Sequence, residues 1–500
     1  MNRFISGAFV NFVAIVLGVI VSFALTPMLI GHLGEGLYGI WTLALLFSIS
    51  HGLFAFSDMG VAASIVKIVG EATGQVDVRR VVYTVNSGFA LLFLIGLLIC
   101  AVIFASAGFL AIPVFKVPES IAPNVITLFR LLGVVLLVDL LAVVPAACLQ
   151  GMQRFSHAKS LHIFYLVLQF LTFLIVIHLD GGLIPLGCGL LFVSFAKLAL
   201  GVFLLKKFVP SWSFEFSAVS HFPKELIQSS GALLLIRVQA SIYRGMDRLL
   251  LGAFLLPVVL TDYDVVAKLV VVGVVAVTVV SSMTLAPASS LAGRNMYPEL
   301  AALFQKTTKY ALILSMPVWL LLVFYGDSLI TFWVGQDFAP LGSIAAIFGT
   351  NIFIVATTAS AQNILIGAGR LRFVVFLTSF GTGLNFAISL ALVRSLGLTG
   401  VIYGTLISGI LTSLATTCGV LMILKISTRI YALIVLFHGL APSFCALVVH
   451  WGGAIVLSNP SSILGLSLSV VTYLVIVFTL SLDQSEIKHL RLIFSRNRSC

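Results

Sequence analysis

The sequence predicts an all-α polytopic membrane protein of about fourteen transmembrane helices, and three observations carry that reading. The 500 residues are 60% hydrophobic and only 9% charged, against about 25% charged in a soluble domain. Apolar runs of about 20 residues, the length that crosses a bilayer as a helix, recur between short polar breaks along the chain. The bases then concentrate in every second break.

Taken in order, the runs lie near residues 5–30, 37–66, 82–107, 121–148, 160–179, 183–205, 226–256, 263–292, 309–333, 341–368, 372–393, 398–424, 430–457 and 462–481. The first follows Met1, Asn2 and Arg3. It is too long for the apolar stretch of a signal peptide and lacks a small-x-small cleavage site, so it reads as a spanning helix. Several runs are long enough to require tilt or extension into the cytoplasm. With the N-terminus inside, twenty of the 28 Lys and Arg residues fall in inner segments, and Lys116 and Arg394 in outer ones. Arg130, Lys197, Arg237, Arg244, Arg248 and Lys268 fall within spans. This asymmetry predicts cytoplasmic termini and an even number of helices.

The net charge of +11 does not point to nucleic acid, because the bases form neither a basic tract nor a patch interleaved with exposed aromatics. The six cysteines show no metal-ligand spacing and read as small buried apolar residues. GxxxxGK[ST] and HExxH are absent, and the nine His are scattered. Inter-helix segments reach about 25 residues at most, far below the size of an independent catalytic domain. The expectation is a non-enzymatic transporter without a resident cofactor or metal.

An internal repeat organises the spans. LQGMQRF (Leu149–Phe155) follows the fourth and LIGAGRL (Leu365–Leu371) the tenth, aligning Gly151 with Gly367 and Arg154 with Arg370. Gln169 then matches Asn385, and with one residue of slip Gly182 and Gly189 match Gly397 and Gly404. An even number of helices per copy makes this a parallel repeat. The predicted organisation is a six-helix bundle over 1–207, a cytoplasmic linker at 208–225, a second six-helix bundle over 226–425, two extra spans at 426–482 and a basic cytoplasmic tail at 483–500.

Four short motifs carry a resemblance. TPMLIGHLGEGLYGIWTL (Thr26–Leu43) holds an LG-x-x-x-YG-W hairpin, and FSDMGVAASIVK (Phe56–Lys67) ends the second span. LQGMQRF follows the fourth, and GMDRLLLG (Gly245–Gly252) places an acid in the seventh. In order and spacing the chain resembles the multidrug/oligosaccharidyl-lipid/polysaccharide exporter superfamily, in particular its Wzx-type bacterial polysaccharide flippases. The resemblance implies two six-helix bundles in a V that alternate between inward- and outward-facing states. It also implies a sugar repeat unit on undecaprenyl pyrophosphate as substrate, and residence in the bacterial inner membrane.

The charges inside the spans suit such a substrate. Arg237, Arg244 and Arg248 are spaced by seven and four residues, which puts them within roughly 40° on one helix face. Each arginine at a helix centre costs about 2.5–3.5 kcal/mol on insertion scales, and guanidinium groups bind phosphate bidentately. With Lys197 and Arg130 they are the candidate diphosphate site. Asp58, Asp139 and Asp247 are the candidates for coupling to H+ or Na+, since arginine keeps its proton. Nine residues separate Arg130 from Asp139, placing them on opposite faces of one helix, whereas Asp247 is in reach of Arg244 or Arg248 across the helix edge. Gln169, Asn351, Gln362, Asn363 and Asn385 are the candidate sugar path, against a plain interhelical hydrogen-bonding role.

Two relatives within the superfamily remain open on the sequence, a lipid II flippase and a cation-coupled multidrug exporter. An organic-cation cavity favours acids, whereas these spans read as six bases against three acids. A glycosyltransferase or polymerase needs a large charged outer loop that is absent. Expected partners are the lipid-linked glycan, membrane lipids, and a polysaccharide polymerase with its chain-length machinery.

Overall fold

The structure, a computed structural model, describes residues 2–49, 52–214, 231–457, 471–473 and 475–477. Every regular element among them is helical. The order is α1 (Asn2–Leu33), α2 (Glu35–Ala44), α3 (Val61–Gly74), α4 (Val78–Phe109), α5 (Ala122–Gly151), α6 (Phe155–His178) and α7 (Leu183–Phe208). There follow α8 (Gly231–Phe254), α9 (Pro257–Ser282), α10 (Leu285–Gly293), α11 (Tyr297–Val334), α12 (Leu341–Gly367), α13 (Leu371–Leu424), α14 (Thr428–Val435) and α15 (Ala441–Leu457). Eleven described segments are long and apolar enough to cross a membrane. The protein is an all-α, multi-pass membrane protein.

Four predicted spans differ in detail. The second, expected as one helix over 37–66, is broken: α2 gives way to short 3-10 turns at Leu45–Phe47 and Leu53–Phe56 before α3 begins. A Cβ on Gly52 would lie 2.0 Å from the Leu46 carbonyl oxygen, so the chain folds back on itself where only glycine fits. The eighth starts earlier than expected, with Pro257 as the first helical residue of α9, where its missing N–H costs nothing. It breaks again before α10. The eleventh and twelfth spans run together as α13, interrupted at Gly397 (φ 58°, ψ −131°). The fourteenth, at 462–481, lies outside the described residues except for 471–473 and 475–477.

The described chain gathers into two compact units, Met1–Asp264 with Phe386–Val401, and Val265–Asn385 with Ile402–Cys500. Each is built around one central helix. In α5, 67% of the apolar window is buried, and in α12, 56%, against 39% or less in the other spans. Lipid gives helices no hydrophobic reason to associate, so small residues that allow close contact decide the packing. Gly151 ends α5 against α3, where a Cβ would sit 2.8 Å from Val69 Cβ. Gly367 ends α12 against α10, with a Cβ 2.8 Å from that of Ala288. The exits match as well: Arg154 N–H bonds to the Leu149 carbonyl and Arg370 N–H to that of Leu365, both at 2.8 Å. Gln153 (φ 58°) and Gly369 (φ 76°) take the left-handed position of this helix stop. The repeated heptapeptide is therefore one structural device used twice.

Aliphatic side chains of α3, α4 and α5 (Ile65, Val69, Val85, Leu92, Leu136, Leu140) make a packed cluster of the first unit. The start of the 208–225 linker is fastened to it. Trp212 Nε1 donates to Asn86 Oδ1 and Asn86 Nδ2 to the Ser213 carbonyl, both at 2.9 Å. Residues 215–230 and the tail at 483–500 lie outside the described residues.

Candidate functional site

Polar side chains inside the spans collect in three places of the first unit. One joins the α8–α9 hairpin to α2. Asp264 accepts Arg248 Nη2 on Oδ1 at 2.8 Å and the Tyr38 hydroxyl on Oδ2 at 2.7 Å. Asp247 Oδ2 accepts the Tyr263 hydroxyl at 2.9 Å. Arg248 is held by Asp264, which the early start of α9 brings inside the helical region. The backbone approach at Gly39 needs a glycine, and leucine side chains crowd two more. A Cβ on Gly39 would meet the Pro257 carbonyl oxygen at 1.8 Å, one on Gly252 would meet Leu43 Cδ1 at 2.8 Å, and one on Gly245 Leu53 Cδ2 at 2.5 Å. Thr261 Oγ1 adds a 2.6 Å bond to the Glu35 carbonyl. The YG of the first-hairpin motif and both glycines of GMDRLLLG thus serve one contact.

Helix α8 is unbroken from Gly231 to Phe254, so the backbone positions of Arg237, Arg244 and Arg248 share the face deduced from their spacing. The side chains of Arg237 and Arg244 lie outside the described residues.

The second place is the pair Asp139–Lys197 between α5 and α7, with Nζ 3.3 Å from Oδ1. Asp139 is 3% exposed, and the Lys197 ammonium also lies 4.9 Å from the centre of the Tyr165 ring. Lys197 lines a cavity of about 500 Å³ between α3, α5 and α7 whose other walls include Ala62, Val66, Ala142, Ala146 and Gln150. Asp139 and Lys197 stand 58 positions apart, so neither helix alone reveals the pair.

The third place is the broken second span. Buried Asp58 sits beside Met59 (φ 46°) and Gly60 (φ 81°), and its Oδ1 is 3.5 Å from the Gly60 amide. Arg130 is exposed, its guanidinium carbon 6.0 Å from the centre of the Phe104 ring.

The neutral polar residues divide. Asn385 is fully buried and its Oδ1 lies 3.5 Å from Thr405 Oγ1. Asn363 Nδ2 donates to the Ser281 carbonyl at 2.7 Å. Gln169, Asn351 and Gln362 are half-buried. Of the cysteines, Cys100 and Cys148 are buried as expected, whereas Cys188, Cys418 and Cys445 are exposed on the apolar surface.

Comparison with known proteins identifies the scaffold. A family described as polysaccharide biosynthesis protein matches residues 35–343. No curated protein matches the sequence. Among solved structures, the fold is similar to the lipid II flippase MurJ in an inward closed conformation, with TM-score 0.72, 14% identity, and 98% of this chain and 100% of that chain covered. It is also similar to a multidrug resistance MATE family transporter of the MOP superfamily in an inward-facing conformation, with TM-score 0.67, 15% identity, and 81% and 98% covered. An outward-facing MATE transporter matches at TM-score 0.61 and 14% identity, over 85% of this chain and 95% of that one. The chain therefore belongs to the polysaccharide biosynthesis protein family and has the fold of MOP-superfamily transporters and flippases.

Proposed function

We propose that the protein is a flippase that moves oligosaccharide repeat units linked to undecaprenyl pyrophosphate, for O-antigen, capsule or exopolysaccharide, from the inner to the outer leaflet of the bacterial plasma membrane by alternating access. The observation that carries this is the arginine stripe on the unbroken helix α8. Permanently charged groups at that depth call for an anion or water to offset their cost, and a diphosphate on a lipid supplies the anion. Because Arg248 is engaged by Asp264, the grip falls first on Arg237 and Arg244. Lys197 and Arg130 extend the cationic lining.

Gln169, Asn351 and Gln362 are the readiest amide partners for sugar hydroxyls, while Asn363 and Asn385 already hold backbone or threonine partners. Coupling to H+ or Na+ falls to Asp58, Asp139 and Asp247. Asp58 is the strongest of these, since unwound helix in a membrane belongs where a cavity or ion path runs. In this reading 1–207 and 226–425 are the two moving bundles and both termini are cytoplasmic. The substrate is then delivered to a polymerase and its chain-length machinery.

A lipid II flippase is the second reading, favoured by the fold likeness to MurJ across nearly the whole chain. A cation-exporting role fits the sign of the intramembrane charge less well. The test is complementation of a strain lacking the protein. Arg237→Ala and Arg244→Ala are each expected to abolish surface glycan at unchanged protein abundance, and full glycan display with both changed would sink the assignment.

A further inference from the structure

Helix α11 carries two irregularities, Pro317 and a backbone break at Tyr325 (φ −127°, ψ 16°). A proline inside a helix has no N–H for the carbonyl four residues earlier, which here is that of Ile313. In a bilayer such a carbonyl needs another donor, because no water replaces the lost bond. The Tyr473 hydroxyl, on the fourteenth predicted span, donates to the Ile313 carbonyl at 3.1 Å. Tyr473 is 3% exposed, so the bond is shielded.

The break at Tyr325 meets the thirteenth span. The Tyr325 hydroxyl shares a 3.2 Å hydrogen bond with His450 Nδ1 on α15. The imidazole stacks on the Phe324 ring, with centroids 4.4 Å apart and an interplanar angle of 15°. Tyr325 and His450 are both buried. The same span also touches α11 before Pro317. A Cβ on Gly439, in the π-helical turn Leu436–Leu440, would come within 3.2 Å of Leu312 Cδ2. Tyr431 of α14 stacks on Phe304 at 5.7 Å and donates its hydroxyl to the Thr357 carbonyl of α12 at 3.2 Å. The C-terminal segment thus holds α11 on both sides of its proline. Just past the break, a Cβ on Gly326 would meet the Gly342 carbonyl oxygen of α12 at 2.7 Å, so the bend of α11 decides how it seats on α12.

We infer that the two C-terminal spans are a splint for α11, in which Tyr473 and His450 are positioning residues that fix its bend. Proline removes one rung of the helix and allows it to bend there. The splint supplies the missing bond from outside at Ile313, clamps the second irregularity at Tyr325, and so selects one bend. These contacts lie within the second unit. The inference is therefore independent of the arginine stripe and of what the protein transports.

The bend is read as a distance. Full-length protein with its six native cysteines replaced by alanine carries Leu314→Cys and Phe332→Cys, exposed positions on either side of both irregularities. Spin labels on the two cysteines, about 27 Å apart along a straight helix, are measured in nanodiscs by double electron–electron resonance. The parent is expected to give one narrow distance distribution. Tyr473→Phe, which keeps the ring and removes only the hydroxyl, should widen it at least two-fold. His450→Leu should do the same, whereas His450→Asn, which keeps a bonding partner for the Tyr325 hydroxyl, should stay narrow. Pro317→Ala restores an N–H to the Ile313 carbonyl, so adding Tyr473→Phe to it should change neither the distribution nor the melting temperature. A general loss of packing at position 473 would instead act equally in both backgrounds. An unchanged width in Tyr473→Phe or His450→Leu overturns the inference. So does equal widening by Tyr473→Phe with and without Pro317, or by the Asn and Leu variants of His450. Glycan display in the Arg237 and Arg244 variants tests the flippase reading separately.

Discussion

Asp264 accepts a guanidinium on one oxygen and a phenol on the other while only 2% exposed. Truncating one member of a buried ion pair strands the other charge. Asp264→Ala is therefore expected to destabilise the protein by about 3–5 kcal/mol, read as a lowered melting temperature in detergent. Arg248→Met/Asp264→Leu should cost much less than Asp264→Ala. Tyr38→Phe removes a hydrogen bond to a charged group and should cost about 1.5–3 kcal/mol in the same assay. Arg248 was legible in the sequence because a charge in an apolar run stands out. Asp264 was not, because the apolar run that holds it reads as beginning only at residue 263. Both pairs, Asp247–Tyr263 and Arg248–Asp264, are separated by 16 positions, a register that emerges only once the α8–α9 turn is known.

Hydropathy located the helices and missed their breaks, because an average over a window does not register where one backbone atom meets another. The interruption after α2 depends on Gly52 against Leu46, and the one within α13 on Gly397. Gly397→Ala places a Cβ in a backbone conformation open almost solely to glycine and should cost about 1–3 kcal/mol. The repeat was legible, since its glycines and arginines recur at one offset, and its physical content is the paired stop of α5 and α12. Gly151→Leu and Gly367→Leu are each expected to lower stability by about 1–3 kcal/mol through overpacking. Gly31→Ala, with nothing within 4 Å of the added carbon, should leave the melting temperature unchanged.

At the scale of the molecule, the placement of the bases predicts the membrane orientation, and fusions test it. A cytoplasm-active reporter joined after residue 207 or 293 should be active, and an export-active one should be active after residue 116. The reverse pattern would invert the whole assignment of inner and outer ends. All-α architecture and superfamily were legible from apolar period, charge distribution and four motifs. The pairing of α5 with α7 through Asp139 and Lys197 was not, because two residues on different helices meet only through tertiary packing.

Flux across a bilayer is the most direct measurement. The purified protein is reconstituted into liposomes holding an undecaprenyl-pyrophosphate-linked oligosaccharide in the inner leaflet, and an external glycosidase reports its arrival outside. Wild-type protein is expected to expose the glycan well above protein-free liposomes, and Arg237→Ala/Arg244→Ala to return the rate to that background. Exposure by the wild type no faster than by empty liposomes, or an unchanged rate in the double variant, would contradict the proposed flippase and its arginine grip.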